Sequence, residues 1–176
     1  MDTIPILGFA AYSGVGKTTL IEKLVVNLRR QGLRVAVIKH DGHDFEIDRE
    51  GKDSWRYTQA GADITVVSSS GKTALIENRP VPLGQILSLI HGVDIVLVEG
   101  YKNEKFTQIG MARRGVSDSF PAPVSRYAAV VTDSGELECP TPRFSFEDDG
   151  GVTRFILENM DSFTHFDSNG RIGHCP

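Results

Sequence analysis

A chain of 176 residues with 40% hydrophobic and 24% charged residues suits one soluble globular domain, large enough to bury a core without covalent staples. Its formal net charge of −4 argues against nucleic acid as a partner, which calls for a basic face. Two distant cysteines, Cys139 and Cys175, make neither a disulfide framework nor a metal spacing, and no apolar run approaches a membrane span; a reducing cytoplasm is expected, with no membrane contact.

An apolar run, Ile4 to Ala10, predicts a strand that starts almost at once and leaves no room for a signal peptide. It leads into Ala11-Tyr-Ser-Gly-Val-Gly-Lys-Thr-Thr19, which a helical pattern follows. Strand, glycine loop and helix in this order are the setting of a phosphate-binding P-loop. Gly14 and Gly16 allow a tight turn whose N–H groups face inward, and the helix adds the positive end of its dipole. Ser13, Gly14, Val15, Gly16, Lys17, Thr18 and Thr19 would line the phosphates. Lys17 would reach the β- and γ-phosphates, and the Thr18 hydroxyl would hold Mg²⁺. Ala11 stands where the consensus has glycine, a mild departure.

Leu20, Ile21, Leu24, Val25 and Leu28 recur at helical spacing, and Gly32 is placed to cap that helix. Leu33 to Ile38 predicts a second strand, completing a βαβ unit. Lys39 to Asp53 reads as a loop, Lys52 to Gln59 as a short helix closed by Gly61. Ile64 to Val67 and Thr73 to Ile76 predict a hairpin across Ser-Ser-Ser-Gly; the second Gly-Lys-Thr of the chain, at Gly71, falls in that turn. A helix over Leu83 to Ile90 precedes two apolar strands, Val93 to Val98 and Ala128 to Val131. Asp148 or Asp149 caps a last helix running to about Met160. The expected fold is α/β: a P-loop NTPase three-layer arrangement, mostly parallel, with helices on both faces and an added β-hairpin. One domain is expected over residues 1–160, followed by an adaptable tail over 161–176.

Phosphate binding alone is not chemistry; a second acidic group near Mg²⁺ is needed. In doubly wound sheets ligands collect at the carboxyl ends of the strands. Glu99 lies at that end of its strand and Asp94 at the other, so Glu99 is the expected Mg²⁺ carboxylate. Gly100 follows, where its N–H could sense a γ-phosphate. His40 and Asp41, in Lys39-His-Asp-Gly-His43, end the second strand and suit residues that sense the γ-phosphate or position a water. Lys17, Glu99 and Asp41 are thus the candidate catalytic groups. Asp133, after the strand ending at Val131, could accept hydrogen bonds from the guanine edge, although no Asn-Lys-x-Asp signature occurs.

The P-loop string, Ile38-Lys39-His40 with Gly42-His43, Gly51-Lys52-Asp53-Ser54, Ala60-Gly61-Ala62 and Leu97-Val98-Glu99-Gly100-Tyr101-Lys102 together resemble the MobB family of molybdopterin–guanine dinucleotide biosynthesis adaptors. The resemblance spans about residues 4 to 160, and Ala11 fits that family's pattern. It implies a homodimeric GTP-binding protein with weak GTPase activity. Such a protein assists the MobA-type guanylyltransferase that joins GMP to molybdenum cofactor, with molybdopterin as a further candidate ligand. Slow turnover agrees with the residues: Arg113, Arg114 and Arg126 form no defined arginine finger and no glutamine is placed to orient water. P-loop hydrolysis without such groups runs on the order of 10⁻³ per second or below. Two other classes share the loop. A small-molecule kinase would need a base and a lid, which Arg113-Arg114 could begin. A metal-insertion GTPase would use His40, Asp41 and His43 as ligands.

Overall fold

The computed structural model describes residues 3–42, 45–133 and 141–174. They fall into two compact units, one formed by Met1–His40 with Leu83–Pro176 and the other by Asp41–Pro82.

In the larger unit, β1 (Ile4–Ala10), α1 (Lys17–Arg30) and β2 (Val35–Lys39) form the expected βαβ opening. In the smaller, α2 (Asp53–Gln59) precedes a hairpin of β3 (Ile64–Ser68) and β4 (Thr73–Glu77). The larger unit resumes with α3 (Leu83–Ser88), β5 (Ile95–Glu99), β6 (Gln108–Ala112) and β7 (Ala129–Thr132). It ends with β8 (Arg143–Phe144), α4 (Asp149–Asn159), β9 (Thr164–Phe166) and β10 (Ile172–His174).

Parallel pairing gives the order β2-β5-β1-β6-β7-β8. The apolar strands read as continuous runs because both faces are covered. Leu7, Phe9, Ile95 and Leu97 pack on one face against Leu20, Leu24 and Leu28 of α1 and Val152 and Ile156 of α4. Ile6, Val96 and Val98 pack on the other against Leu83 and Leu87 of α3. The result is the helix–sheet–helix layering expected. Two caps hold the main helices. Gly32, at φ 87°, turns the chain so that its N–H reaches Arg29 O at 3.0 Å and that of Leu33 reaches Leu28 O at 3.2 Å. Asp148 Oδ1 accepts from Gly151 N at 2.9 Å. Asp149 instead joins α4 to α1, accepting from Asn27 Nδ2 at 2.8 Å.

The stretch after Met160 corrects one expectation. It is no loose tail, since β9 pairs antiparallel with Ile4–Ile6 of β1, and β10 pairs with β9. β9 and β6 share the edge of β1 that faces away from β5. Thr107 and Thr164 stitch them where they meet: each backbone N–H donates to the other's hydroxyl, at 3.0 and 2.8 Å.

The smaller unit has a different character. Thr65 is buried, yet Ile64, Val66, Val67 and Leu75 of the hairpin are about half exposed, and α2 buries no residue. Asn78 ties its base, donating through Nδ2 to Ala62 O at 2.6 Å.

Candidate functional site

The loop that follows β1 is fixed from beneath. Val15 is fully buried among Phe9, Leu20 and Leu24, so of this sequence candidate only the backbone is open to a ligand. Ser13, Gly14, Thr18 and Thr19 are exposed. Gly14 (φ 78°) and Gly16 (φ 106°) occupy the left-handed region, which glycine enters without strain. Gly16 caps α1 without any side-chain acceptor, and the first turn carries no acid. The N–H groups there are therefore left to an incoming anion, with the helix dipole behind them.

Lys17 folds back across the loop, donating to Tyr12 O at 3.0 Å and Ala11 O at 3.3 Å. Burial pushes its ammonium below the ordinary lysine pKa; Glu99 counters this, and Lys102 and Lys39 add to it.

β5 lies directly beside β1, with Phe9 opposite Glu99. Glu99 is buried, 9% exposed, and the Thr18 hydroxyl lies 3.0 and 3.2 Å from its two oxygens. The two metal candidates thus meet, and a donor set made of oxygen alone suits a hard cation such as Mg²⁺. At the far end of β5, Asp94 pairs with Arg34 at 2.9 Å, and the guanidinium holds its carboxyl down to about 2.

The ends of β2 and β5 are locked together. His40 N donates to Glu99 O at 2.8 Å, and the His40 ring stacks on Tyr101 with centroids 4.2 Å apart. Gly100 (φ 96°) leaves no room for a side chain, because a Cβ there would lie 2.8 Å from His40 O. Tyr101 is itself at φ 49°, so the turn after Glu99 is held in an uncommon conformation. Asp41 opens the smaller unit and is exposed there. His43 lies outside the described residues; among those described, no three His, Cys, Asp or Glu gather as a metal site.

On the other side of β1, Asp133 follows β7 at the same sheet edge, and its Oδ1 accepts from Arg114 N at 2.7 Å. The turn after β6 brings in a residue that the sequence offered only as the start of a kinase lid, with no part in the glycine loop. Arg113 lays its guanidinium 3.8 Å from the Phe146 ring centroid, next to Gly16.

A parallel sheet whose first strand feeds a glycine loop and helix, with a buried carboxylate ending the adjacent strand, defines a P-loop NTPase-type α/β protein. Residues 6–133 match the family model of MobB, molybdopterin guanine dinucleotide synthesis protein B, and the chain belongs to that family. A Haemophilus influenzae protein named molybdopterin-guanine dinucleotide biosynthesis adapter protein is 37% identical over 141 residues, 78% of this chain and 79% of its own. Its Escherichia coli namesake is 34% identical over 164 residues, covering 89% of this chain and 94% of its own. The crystal structure of Bacillus subtilis MobB superposes with a TM-score of 0.74 at 26% identity, over 89% of this chain and 98% of that one. No helix among the described residues is long and apolar enough to cross a membrane.

Proposed function

We propose that this chain is a GTP-binding adaptor in the synthesis of molybdopterin guanine dinucleotide, working with the guanylyltransferase that attaches GMP to molybdopterin. The observation that carries the nucleotide reading is the Thr18 hydroxyl held on both oxygens of buried Glu99, in the first turn of the helix that Gly16 caps. Thr18 and Glu99 would hold Mg²⁺, which supplies positive charge to the β- and γ-phosphate oxygens when bound. Backbone N–H groups from Ser13 to Thr19 would cradle the phosphates. Lys17 would leave its two carbonyl acceptors for them.

His40, Gly100 and Asp41 would sense the γ-phosphate or position a water, and Asp133 would read guanine with the oxygen that Arg114 N does not occupy. At most slow GTP hydrolysis follows, and the cytoplasm is the expected site of action. Calorimetric titration with GTP, GDP and ATP, with and without Mg²⁺, tests the reading. GTP should bind in a Mg²⁺-dependent way and more tightly than ATP. A clear preference for ATP would favour the kinase reading instead.

A homodimer belongs to the same proposal. The hairpin exposes Ile64, Val66, Val67 and Leu75 on a two-stranded sheet with open edges, the form that pairs readily with a second copy. Val66→Lys should convert a dimer at micromolar concentration into a monomer in sedimentation equilibrium. A wild-type protein that sediments as a monomer there would remove the dimer from the proposal.

A further inference from the structure

Arg113 lies outside the glycine-loop motif, yet it is built into that loop's surroundings. Its Cζ is 3.8 Å from the centroid of the Phe146 ring. A Cβ placed on Gly16 would be 3.6 Å from Cζ and from both terminal nitrogens alike, so Gly16 lies over the guanidinium face rather than at its edge. Phe146 and the Gly16 backbone thus both lie against the guanidinium, whose N–H edge is the part that binds phosphate oxygens in pairs.

The turn that carries it is tightly closed. Arg113 N donates to Ser117 O at 3.0 Å and Ser117 N returns to Arg113 O at 2.9 Å. Gly115 N donates to Asp118 Oδ1 at 3.1 Å, and Arg114 N donates to Asp133. Val116 packs near Gly14, 3.5 Å from where a Cβ would stand. Two residues of one rigid turn thus lie against the two left-handed glycines of the loop.

The place is electrostatically wrong for a cation without an anion. Gly16 caps the positive end of α1, and no acid stands in the first turn. Among the described residues no carboxylate forms an ion pair with Arg113. The other charges of the loop, Lys17 with Glu99, Lys102 and Lys39, gather toward β5 and β2, whereas β6 lies across β1 from them.

We propose that Arg113 is a phosphate ligand supplied by the turn after β6, its N–H edge gripping the phosphate chain of the bound nucleotide from the side opposite Lys17. This inference rests on the nucleotide reading of the loop. A purely structural Arg113 would serve only to cover Phe146.

The test uses the full chain and two ligands, GTP and inorganic tripolyphosphate, in calorimetric titrations of wild type, Arg113→Gln and Arg113→Met. Methionine keeps an unbranched apolar stem beside Phe146 while removing the charge, which guards against loss of the fold in the glutamine variant. Both variants should bind both ligands roughly tenfold or more weakly than wild type, with the ligand-free unfolding midpoint of Arg113→Met close to wild type. Unchanged affinity for tripolyphosphate in Arg113→Met overturns the proposal, and so does a loss confined to GTP, which would mean contact with base or sugar. A wild-type protein that binds neither ligand overturns the nucleotide reading itself, an outcome distinct from the other two.

Discussion

Gly-Lys-Thr occurs twice in this chain, at Gly16–Thr18 and at Gly71–Thr73, and the two copies have nothing in common but their letters. The first follows a buried parallel strand and opens a fourteen-residue helix, so its N–H groups converge and its lysine bends over the loop. The second lies in a hairpin turn closed by Ser69 N donating to Lys72 O at 2.9 Å, with Thr73 already in β4. There Gly71 N is spent on the Ser69 hydroxyl at 3.4 Å, and Ser68 and Thr73 face each other through their hydroxyls at 3.2 Å. What makes a phosphate loop is the strand before it and the helix after it, because only they aim several donors at one point.

The comparison breaks most sharply under matched substitutions of the two lysines. Lys17→Ala should weaken GTP by at least ~100-fold, whereas Lys72→Ala should leave affinity unchanged. The unfolding midpoint without nucleotide should not fall in Lys17→Ala. Burial holds that lysine below its ordinary pKa, so the native state already disfavours its charged form, and removing it relieves that cost. Thermal melts and nucleotide titrations of both variants give the answer. Equal losses would mean that the loop after β1 is not the nucleotide site.

Base reading comes next in size. Asp133 holds the turn after β6 through Arg114 N, and the base-reading proposal asks its second oxygen to accept from guanine. Asp133→Asn separates the two tasks, because an amide oxygen can still accept from Arg114 while the amide nitrogen cannot accept at all. The variant should fold normally and lose roughly ten- to a hundredfold in affinity for GTP, with ATP unchanged. Losses of equal size for both nucleotides would remove base reading from Asp133.

How much of this could be read from residues alone follows the same division between local and distant causes. The loop, the capping role of Asp148, the hairpin turn and the carboxylate ending β5 are all written within a few residues of themselves. β6 escaped because Gln108 and Gly110 interrupt its apolar run. Both are demanded by distant packing: a Cβ on Gly110 would come 2.4 Å from the Tyr127 ring, and Gln108 Nε2 donates to Tyr101 O at 3.2 Å. β9 and β10 are three residues each, and β9 exists by pairing with Ile4–Ile6, some 160 positions away. Arg113 gains its place only once Phe146 and Gly16 are brought beside it. Periodicity and short motifs carry no information about such meetings.

The last contrast lies within one strand. β5 is bounded by two carboxylates, Asp94 just before it and Glu99 at its end, and the parallel sheet gives them opposite fates. Glu99 is buried beside Thr18, so Glu99→Gln should remove about tenfold of the Mg²⁺-dependent affinity for GTP and spare the Mg²⁺-free binding. Asp94 is partly exposed, paired with Arg34 and held down to about 2 against an ordinary value near ~3.9. A carboxyl lowered in this way stabilises the fold fully above its unfolded pKa, and that contribution drains away as pH falls from about 4 through about 2. Asp94→Asn should therefore leave nucleotide affinity untouched and lower the melting temperature slightly at pH 7, as exposed ion pairs contribute little. The difference from wild type should close as the solution is acidified through that window. A difference that persists unchanged at pH 2 would mean that Asp94 acts through packing or its backbone bond to Arg34 rather than through its charge.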